Sequence, residues 1–324
     1  MIKYIFKRIL YLIPVMFGVI VLVFLMKMVM PGDPVMELLP ASATEEERNE
    51  MREKLGLNDP VYEQFGKYVW GIVTRGDLGT SYKSKQPVMD ELLQRFPKTL
   101  AIGLISMALN LLVAIPLGIM AAVKQYSWVD NLIVLFSIVG ASLPSFWLAL
   151  MMIMLFAVRL GWLPAMYNGT AVGYVMPIMA VSISCISATV RGIRTNMLET
   201  IRQDYVRTAR AKGQKESVVI VRHAFRNTLV PVVSSIGSGL GMLLGGSLIV
   251  ETVFAVPGIG KYVTDAVSQR NFPAVQGGVI MLAFIYAVIN IVVDICYTIV
   301  DPRLKTAFII PRRYKSQKGG TENG

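Results

Sequence analysis

The 324-residue chain is 54% hydrophobic and only 16% charged, and its mean hydropathy is +0.55. A soluble domain carries about a quarter charged residues, and the apolar excess is gathered into blocks, so the composition excludes an ordinary soluble protein and indicates an integral membrane protein. The net charge is +11, and the basic residues lie between the apolar blocks. Membrane topology explains that position better than nucleic-acid binding does.

Six apolar segments are long enough to cross a bilayer, so the sequence predicts an all-α membrane protein. A crossing needs about 20 predominantly apolar residues. The segments are residues 9–26, 99–123, 131–158, 174–190, 227–250 and 277–300. The first has the basic start of a signal peptide, but its apolar run is longer and no small-residue cleavage site follows. We therefore expect it to be a retained helix.

The predicted organisation of the chain follows these segments. Residues 1–30 hold the first helix, 31–98 a small external helical insert, 99–305 a core with the other five helices, and 306–324 a disordered tail. In the insert, Thr44 and Glu47 form a capping box that opens a helix ending near Gly56. Asn58-Asp59-Pro60 then predicts a turn, and residues 62–73 a second helix.

Basic residues indicate which side of the membrane each connection occupies. Lys3, Lys7 and Arg8 precede the first helix, and residues 191–226 carry nine Lys or Arg against three acids. The tail after Asp301 adds six more basic residues. Because Lys and Arg accumulate in cytoplasmic loops, both termini and the loop of residues 191–228 are predicted to be cytoplasmic.

The sequence lacks the usual motifs for binding ATP or zinc. No G-x-x-x-x-G-K-[ST] phosphate loop occurs, because Gly258-Ile259-Gly260-Lys261 has the wrong spacing and falls on the predicted external side. His223 is the only histidine, which excludes an H-E-x-x-H zinc hydrolase. Cys185 and Cys296 lie in apolar segments as buried hydrophobes. We expect no catalytic residue, metal or cofactor in this chain; if ATP drives it, a partner binds the ATP.

Three glycines and two acids are further candidates in or beside the apolar segments. Gly237, Gly241 and Gly245 recur every four residues, which predicts a close helix-packing face rather than a serine hydrolase around Ser238. Asp294 is the only acid inside a segment and a candidate pathway residue, although an interfacial anchor or a partner for a loop arginine is favoured over an ion site. Glu251 stands at the outer end of the fifth segment, where it faces a translocation pathway or is a solvated helix end.

The segment from Asp204 to Gly213 predicts a short helix that another protein can approach. Asp204 suits the N-cap position, and Gly213 can end the helix in a left-handed turn. Held between two membrane helices, such a helix can carry a push from a cytoplasmic partner into them; the alternative is a basic loop that only fixes topology. The candidate docking residues are Asp204, Tyr205, Arg207, Thr208, Ala209, Arg210, Ala211, Lys212 and Gly213.

Residues 207–213 resemble the E-A-A-x-x-x-G loop of permease subunits in bacterial ATP-binding-cassette importers, most of all its dipeptide/oligopeptide branch. The first three positions fall on Arg207, Thr208 and Ala209, so an arginine replaces the leading acid, and Pro231 follows late, as in the peptide branch. Further segments match that branch in order. They are Pro31-Gly32-Asp33-Pro34, residues 55–60, Gly76-Asp77-Leu78-Gly79, Glu251-Thr252-Val253-Phe254, Pro257-Gly258-Ile259-Gly260 and Asp301-Pro302-Arg303.

The resemblance implies the first of two related permease subunits, with the type I importer fold, in a bacterial cytoplasmic membrane. Its implied partners are a second permease subunit, two ATP-binding subunits that hold ATP and magnesium, and an external substrate-binding protein. The implied substrate is a di- or oligopeptide; nickel, glutathione or another small solute is the nearest alternative, and an ion-coupled secondary transporter is the alternative of another class. A tryptophan at Ala209 or a proline at Gly213 is expected to abolish transport while membrane insertion persists.

Overall fold

The computed structural model describes residues 2–29, 34–40, 42–229, 232 and 247–300. Regular structure within these ranges is helical, apart from one isolated bridge between Thr80 and Pro87. The helices are α1 (Ile2–Val29), α2 (Pro34–Leu38), α3 (Glu45–Lys54), α4 (Val61–Arg75), α5 (Val88–Val123), α6 (Trp128–Ser142), α7 (Ser145–Met152), α8 (Val175–Ile201), α9 (Asp204–Ala211), α10 (Glu216–Val218), α11 (Ile259–Ser268) and α12 (Phe272–Val300). Residues 247–253 are also helical, and π turns Ile153–Arg159 and Val219–Phe225 continue α7 and α10.

Four described helices are long and apolar enough to cross a membrane, and a bent pair could supply a fifth crossing. The four are Phe6–Met28, Val88–Val123, Ala171–Ile201 and Phe272–Ile295. They coincide with four of the six predicted segments, although α5 begins well before residue 99 and α8 continues well past residue 190. The predicted segment 227–250 lies mostly outside the described residues, so that helix stays a prediction.

The predicted single span of residues 131–158 is broken in the middle. α6 and the helix that follows meet at an angle of 101°. Leu143 has an extended backbone (φ −81°, ψ 125°), and Pro144 is the N-cap of α7. A proline has no N–H for the helical ladder and disfavours a helical residue before it, so the expectation of one continuous helix here is wrong.

The two helices predicted in the insert are confirmed, including the cap of the first. Thr44 Oγ1 accepts the Glu47 N–H at 3.3 Å, and Glu47 Oε2 accepts the Thr44 N–H at 2.8 Å. This capping box opens α3, whose C-cap is Leu55. α4 ends at Gly76, which takes the left-handed conformation (φ 63°) that favours glycine.

The insert packs against the first membrane helix rather than standing apart from it. The Phe65 ring of α4 lies 5.1 Å from Phe24 and 6.2 Å from Phe17, both edge-on. Both partners belong to the apolar stretch Phe6–Met28 of α1. Gln276 of α12 donates to the Val23 carbonyl at 3.2 Å, so α12 is fastened at the same level.

The N-terminus of α11 is held by side chains from two other elements. The first N–H groups of a helix have no partner within the helix, and its N-cap, Gly258, has no side chain to offer. Thr99 Oγ1 of α5 accepts the Ile259 N–H at 2.8 Å, and Glu251 Oε2 accepts the Lys261 N–H at 3.2 Å. The Glu251 carboxylate is buried at the positive end of the helix dipole, where an anion is favourable.

Gly258→Ala is expected to destabilise the protein, because a methyl group at this position would overlap the Glu251 carboxylate and the Thr99 hydroxyl. Overpacking of this kind costs roughly 1–3 kcal/mol, which a thermal melt of the purified protein in detergent measures. Gly103→Ala in α5 is the matched control, since nothing lies within 4 Å of its added methyl group. Equal melting temperatures for the two variants would contradict the close approach at Gly258.

Candidate functional site

The basic loop contains a short exposed helix, α9, that ends on a glycine. Its N-cap is Gln203, whose backbone is extended (φ −71°, ψ 149°), and Asp204 is the first helical residue. The predicted N-cap at Asp204 is therefore wrong by one position, although a carboxylate remains favourable in the first turn. Gly213 has φ +73°, and its N–H donates to the Arg210 carbonyl at 2.9 Å, which confirms the predicted left-handed stop.

One side of α9 packs against the chain itself. Val206 is fully buried and Ala209 is 6% exposed, in an apolar cluster with Ile220 of the π turn and Met197 of α8. Residues three apart share a helix face, so burial of Val206 carries Ala209 inward with it. The prediction that Ala209 faces a partner is wrong, and its small side chain instead lets α9 lie close to α8 and the π turn.

The opposite side of α9 presents polar, basic and aromatic groups to its surroundings. The exposed residues are Asp204, Tyr205, Arg207, Thr208, Arg210, Ala211, Lys212 and Gly213. The Arg207 side chain is 72% exposed and lies 4.0 Å from Asp204, a separation and exposure at which an ion pair contributes little. A partner approaching α9 therefore meets an accessible guanidinium group at the position where the resemblance leads one to expect an acid.

An ion pair closes the turn that follows α9. Arg210 Nη2 donates to Glu216 Oε1 at 2.7 Å, and Arg210 Nε donates to Glu216 Oε2 at 3.1 Å. The hydrogen bonds from Arg210 lower the pKa of the Glu216 carboxyl, and those to Glu216 raise the pKa of Arg210. A lowered carboxyl pKa gives stability that is present above the unfolded pKa and is lost only as pH falls through the folded pKa. The pair is therefore ionised at neutral pH, but its exposure limits what it adds to stability.

A second, less exposed ion pair fastens α8 to α6 beside this loop. Arg194 Nε and Nη2 donate to the two carboxylate oxygens of Asp130 at 2.6 and 2.7 Å. The Asp130 side chain is 2% exposed and the Arg194 side chain 23%. Arg191 on the same helix donates to the Ser137 carbonyl of α6 at 2.5 Å. α8 continues to Ile201, so the predicted start of the loop at residue 191 is wrong and both arginines serve helix contacts.

The turn between α5 and α6 is tied into the same assembly. Asp130 Oδ2 also accepts the N–H of Tyr126, which has a left-handed backbone (φ 64°), at 3.0 Å. Arg202, which follows α8, donates to Gln125 Oε1 at 3.4 Å. We call this unit, from residues 124–130 across to 191–202, the α6–α8 brace. Sequence reasoning missed Asp130. The signal that could have found it is a single acid next to an apolar segment, on the same predicted side of the membrane as a loop rich in arginine.

The two acids proposed for a pathway are engaged within the chain. Glu251 is 0% exposed and binds the N-terminus of α11, so it is neither a solvated helix end nor on an open path in this structure. Asp294 lies 2.8 Å from Arg8 of α1, so its partner is an arginine of the first helix rather than of a loop. Gly237, Gly241 and Gly245 lie outside the described residues, and their packing role stays a prediction.

Residues 114–306 match the profile of the binding-protein-dependent transport system inner membrane component, and residues 1–103 match the N-terminal region of the same class of membrane component. The chain belongs to this family. It is therefore a membrane permease subunit of an importer, and the family predicted from the loop motif is confirmed.

Named relatives cover nearly the whole length of this permease. The dipeptide transport system permease protein DppB of Alkalihalophilus pseudofirmus is 35% identical over 333 residues, which span 94% of this chain and 100% of the relative. The glutathione transport system permease protein GsiC of Escherichia coli K12 is 37% identical over 305 residues, which span 94% of this chain and 99% of the relative. Together with the helices of the described residues, the family match confirms the all-helical permease fold predicted from the sequence.

Asp130→Asn is expected to destabilise this permease by roughly 3 kcal/mol, because it leaves the half-buried Arg194 guanidinium without its counter-charge. The melting temperature in detergent should fall clearly. Glu216→Gln breaks the corresponding bidentate pair with Arg210, whose side chains are 37% and 55% exposed, and should cost under about 1 kcal/mol. A similar loss from both variants would show that burial does not distinguish the two pairs.

Proposed function

We propose that this chain is one of two different permease subunits in an ATP-driven importer of short peptides. The relatives support the substrate class, because one is named for dipeptides and another for glutathione, which is itself a tripeptide. Both are covered over nearly their full length. Glutathione is the second candidate, since that relative is as similar to this chain as the dipeptide permease.

The single observation that carries the coupling role is the two-sided construction of α9. Val206 and Ala209 on its inner side are buried against the rest of the chain. The outer side, which includes Tyr205 and Lys212, is exposed. A short helix that is packed on one side and exposed on the other can be displaced as a rigid body by a partner that binds the exposed side. In the proposed importer, an ATP-binding subunit contacts that outer side and the α6–α8 brace carries the displacement into the membrane helices.

The remaining partners and the orientation belong to the same proposal. The basic loop faces the cytoplasm with both termini, where two ATP-binding subunits hold ATP and magnesium, and this chain contributes no cofactor site. A second permease subunit completes the pathway, with the glycine repeat at residues 237–245 as part of the contact. The insert and the α11–α12 connection then lie on the outer face, where a substrate-binding protein delivers the peptide.

Uptake by a deletion strain tests the substrate class. Cells lacking the permease should lose uptake of labelled dipeptides or tripeptides, and the cloned chain should restore it. Glutathione is the decisive comparison, and unlabelled competitors at equal concentration rank the candidates. Uptake that depends on an ion gradient and persists without ATP would overturn the importer proposal.

Tryptophan substitutions on the two sides of α9 test the coupling role. Ala211→Trp adds bulk to the exposed side, so we expect a normal melting temperature but roughly tenfold less co-purified ATP-binding subunit and a matching loss of uptake. Ala209→Trp forces bulk into the closed side and should lower the melting temperature instead. Normal subunit retention and uptake by Ala211→Trp would refute docking on this side.

A further inference from the structure

Two connections of the permease meet in a rigid joint at the end of the molecule that carries the insert. Asn271, between α11 and α12, uses its side-chain amide on both partners in the loop that precedes α5. Its Oδ1 accepts the Tyr82 N–H at 3.0 Å, and its Nδ2 donates to Ser81 Oγ at 2.8 Å. Asn271 is 5% exposed and Ser81 is 2% exposed, so buried hydrogen bonds hold the two connections together.

Two basic residues of this joint adopt a backbone conformation that normally belongs to glycine. Lys85 has φ 59° and Arg270 has φ 52°. Arg270 follows the end of α11, where the Asn271 N–H donates to the Ala266 carbonyl at 2.9 Å in the pattern of a helix end that favours glycine. The same chain ends α4 and α9 with Gly76 and Gly213. Arg270 therefore occupies a helix-ending position at which glycine would be less strained.

The joint is positively charged and open. Lys83, Lys85 and Arg270 are exposed, and no salt bridge joins them to an acid among the described residues. Residues 80–87 and 266–273, which form the joint, contain no Asp or Glu. We call the three side chains the basic rim. They stand at or beside a concavity of about 490 Å³ lined by Leu38, Tyr82, Lys83, Lys85, Gln269 and Asn271.

We propose that the basic rim docks an acidic surface of the external substrate-binding protein. The proposal rests on the proposed function, which places this end of the permease on the outer face. A fixed concavity with apolar and polar walls suits a protruding protein side chain, whereas attraction to lipid headgroups needs only charge on mobile chains. Rim charges of this kind accelerate and orient association, so binding should weaken as salt screens them.

Glycine variants separate docking from folding, because glycine removes the charge and relieves the backbone at the same time. We expect Arg270→Gly and Lys85→Gly to keep or raise the melting temperature of the full complex. Combined, they should weaken binding of the purified substrate-binding protein to nanodisc-embedded complex about tenfold and reduce the salt dependence of binding. Arg270→Lys should retain most of the affinity. Lys54→Ala, an exposed basic residue on α3, is the matched control.

The outcomes separate this inference from the function on which it rests. If the wild-type complex binds the substrate-binding protein and the glycine variants bind it equally well, the basic rim is not the docking point. If the variants change only the response of ATPase activity to anionic lipid, the rim serves the membrane and the proposal is overturned. A wild-type complex that hydrolyses ATP with no response to any substrate-binding protein would instead contradict the importer proposal.

Discussion

A helix end that has no cap of its own must find hydrogen-bond partners elsewhere in the protein. At the start of α11, Thr99 and Glu251 supply acceptors that the N-cap glycine cannot. Between α6 and α8, Arg191 donates to the Ser137 carbonyl and Arg194 to the Asp130 carboxylate. These long-range contacts link α5 and residues 247–253 to α11, and α6 to α8. Side chains from neighbouring helices therefore hold both the start of α11 and the contact between α6 and α8.

Buried contacts between helices also determine how motion can pass through the permease. α9 is seated on α8 and the π turn by buried apolar groups, and α8 is locked to α6 by the Asp130–Arg194 pair. A displacement of α9 by the proposed ATP-binding subunit is therefore expected to move α8 and α6 with it. At the other end, the buried amide of Asn271 links the two connections that form the proposed outer docking site. Both proposed interfaces are thus exposed surfaces backed by buried contacts.

Local elements were predictable because their determinants lie within a few residues of one another. The capping box of α3, the left-handed stop at Gly213 and the apolar parts of α5, α8 and α12 all follow from short-range pattern. The break at Pro144 was visible as a proline, but a proline alone does not distinguish a kink from a 101° bend. The inward side of α9 required knowledge of which apolar cluster lay beneath it.

The sequence by itself determined the class, the family and the position of the basic loop. Hydropathy, charge and glycine spacing are local patterns, and they can be read without knowing how the helices pack. Only the tertiary structure decided which polar and charged groups are buried and paired. Asp130 and Arg194 are 64 residues apart, and Thr99 and Ile259 are 160 apart. Such pairs form where helices cross, and the crossing is fixed by packing over the whole helix rather than by the residues that meet there.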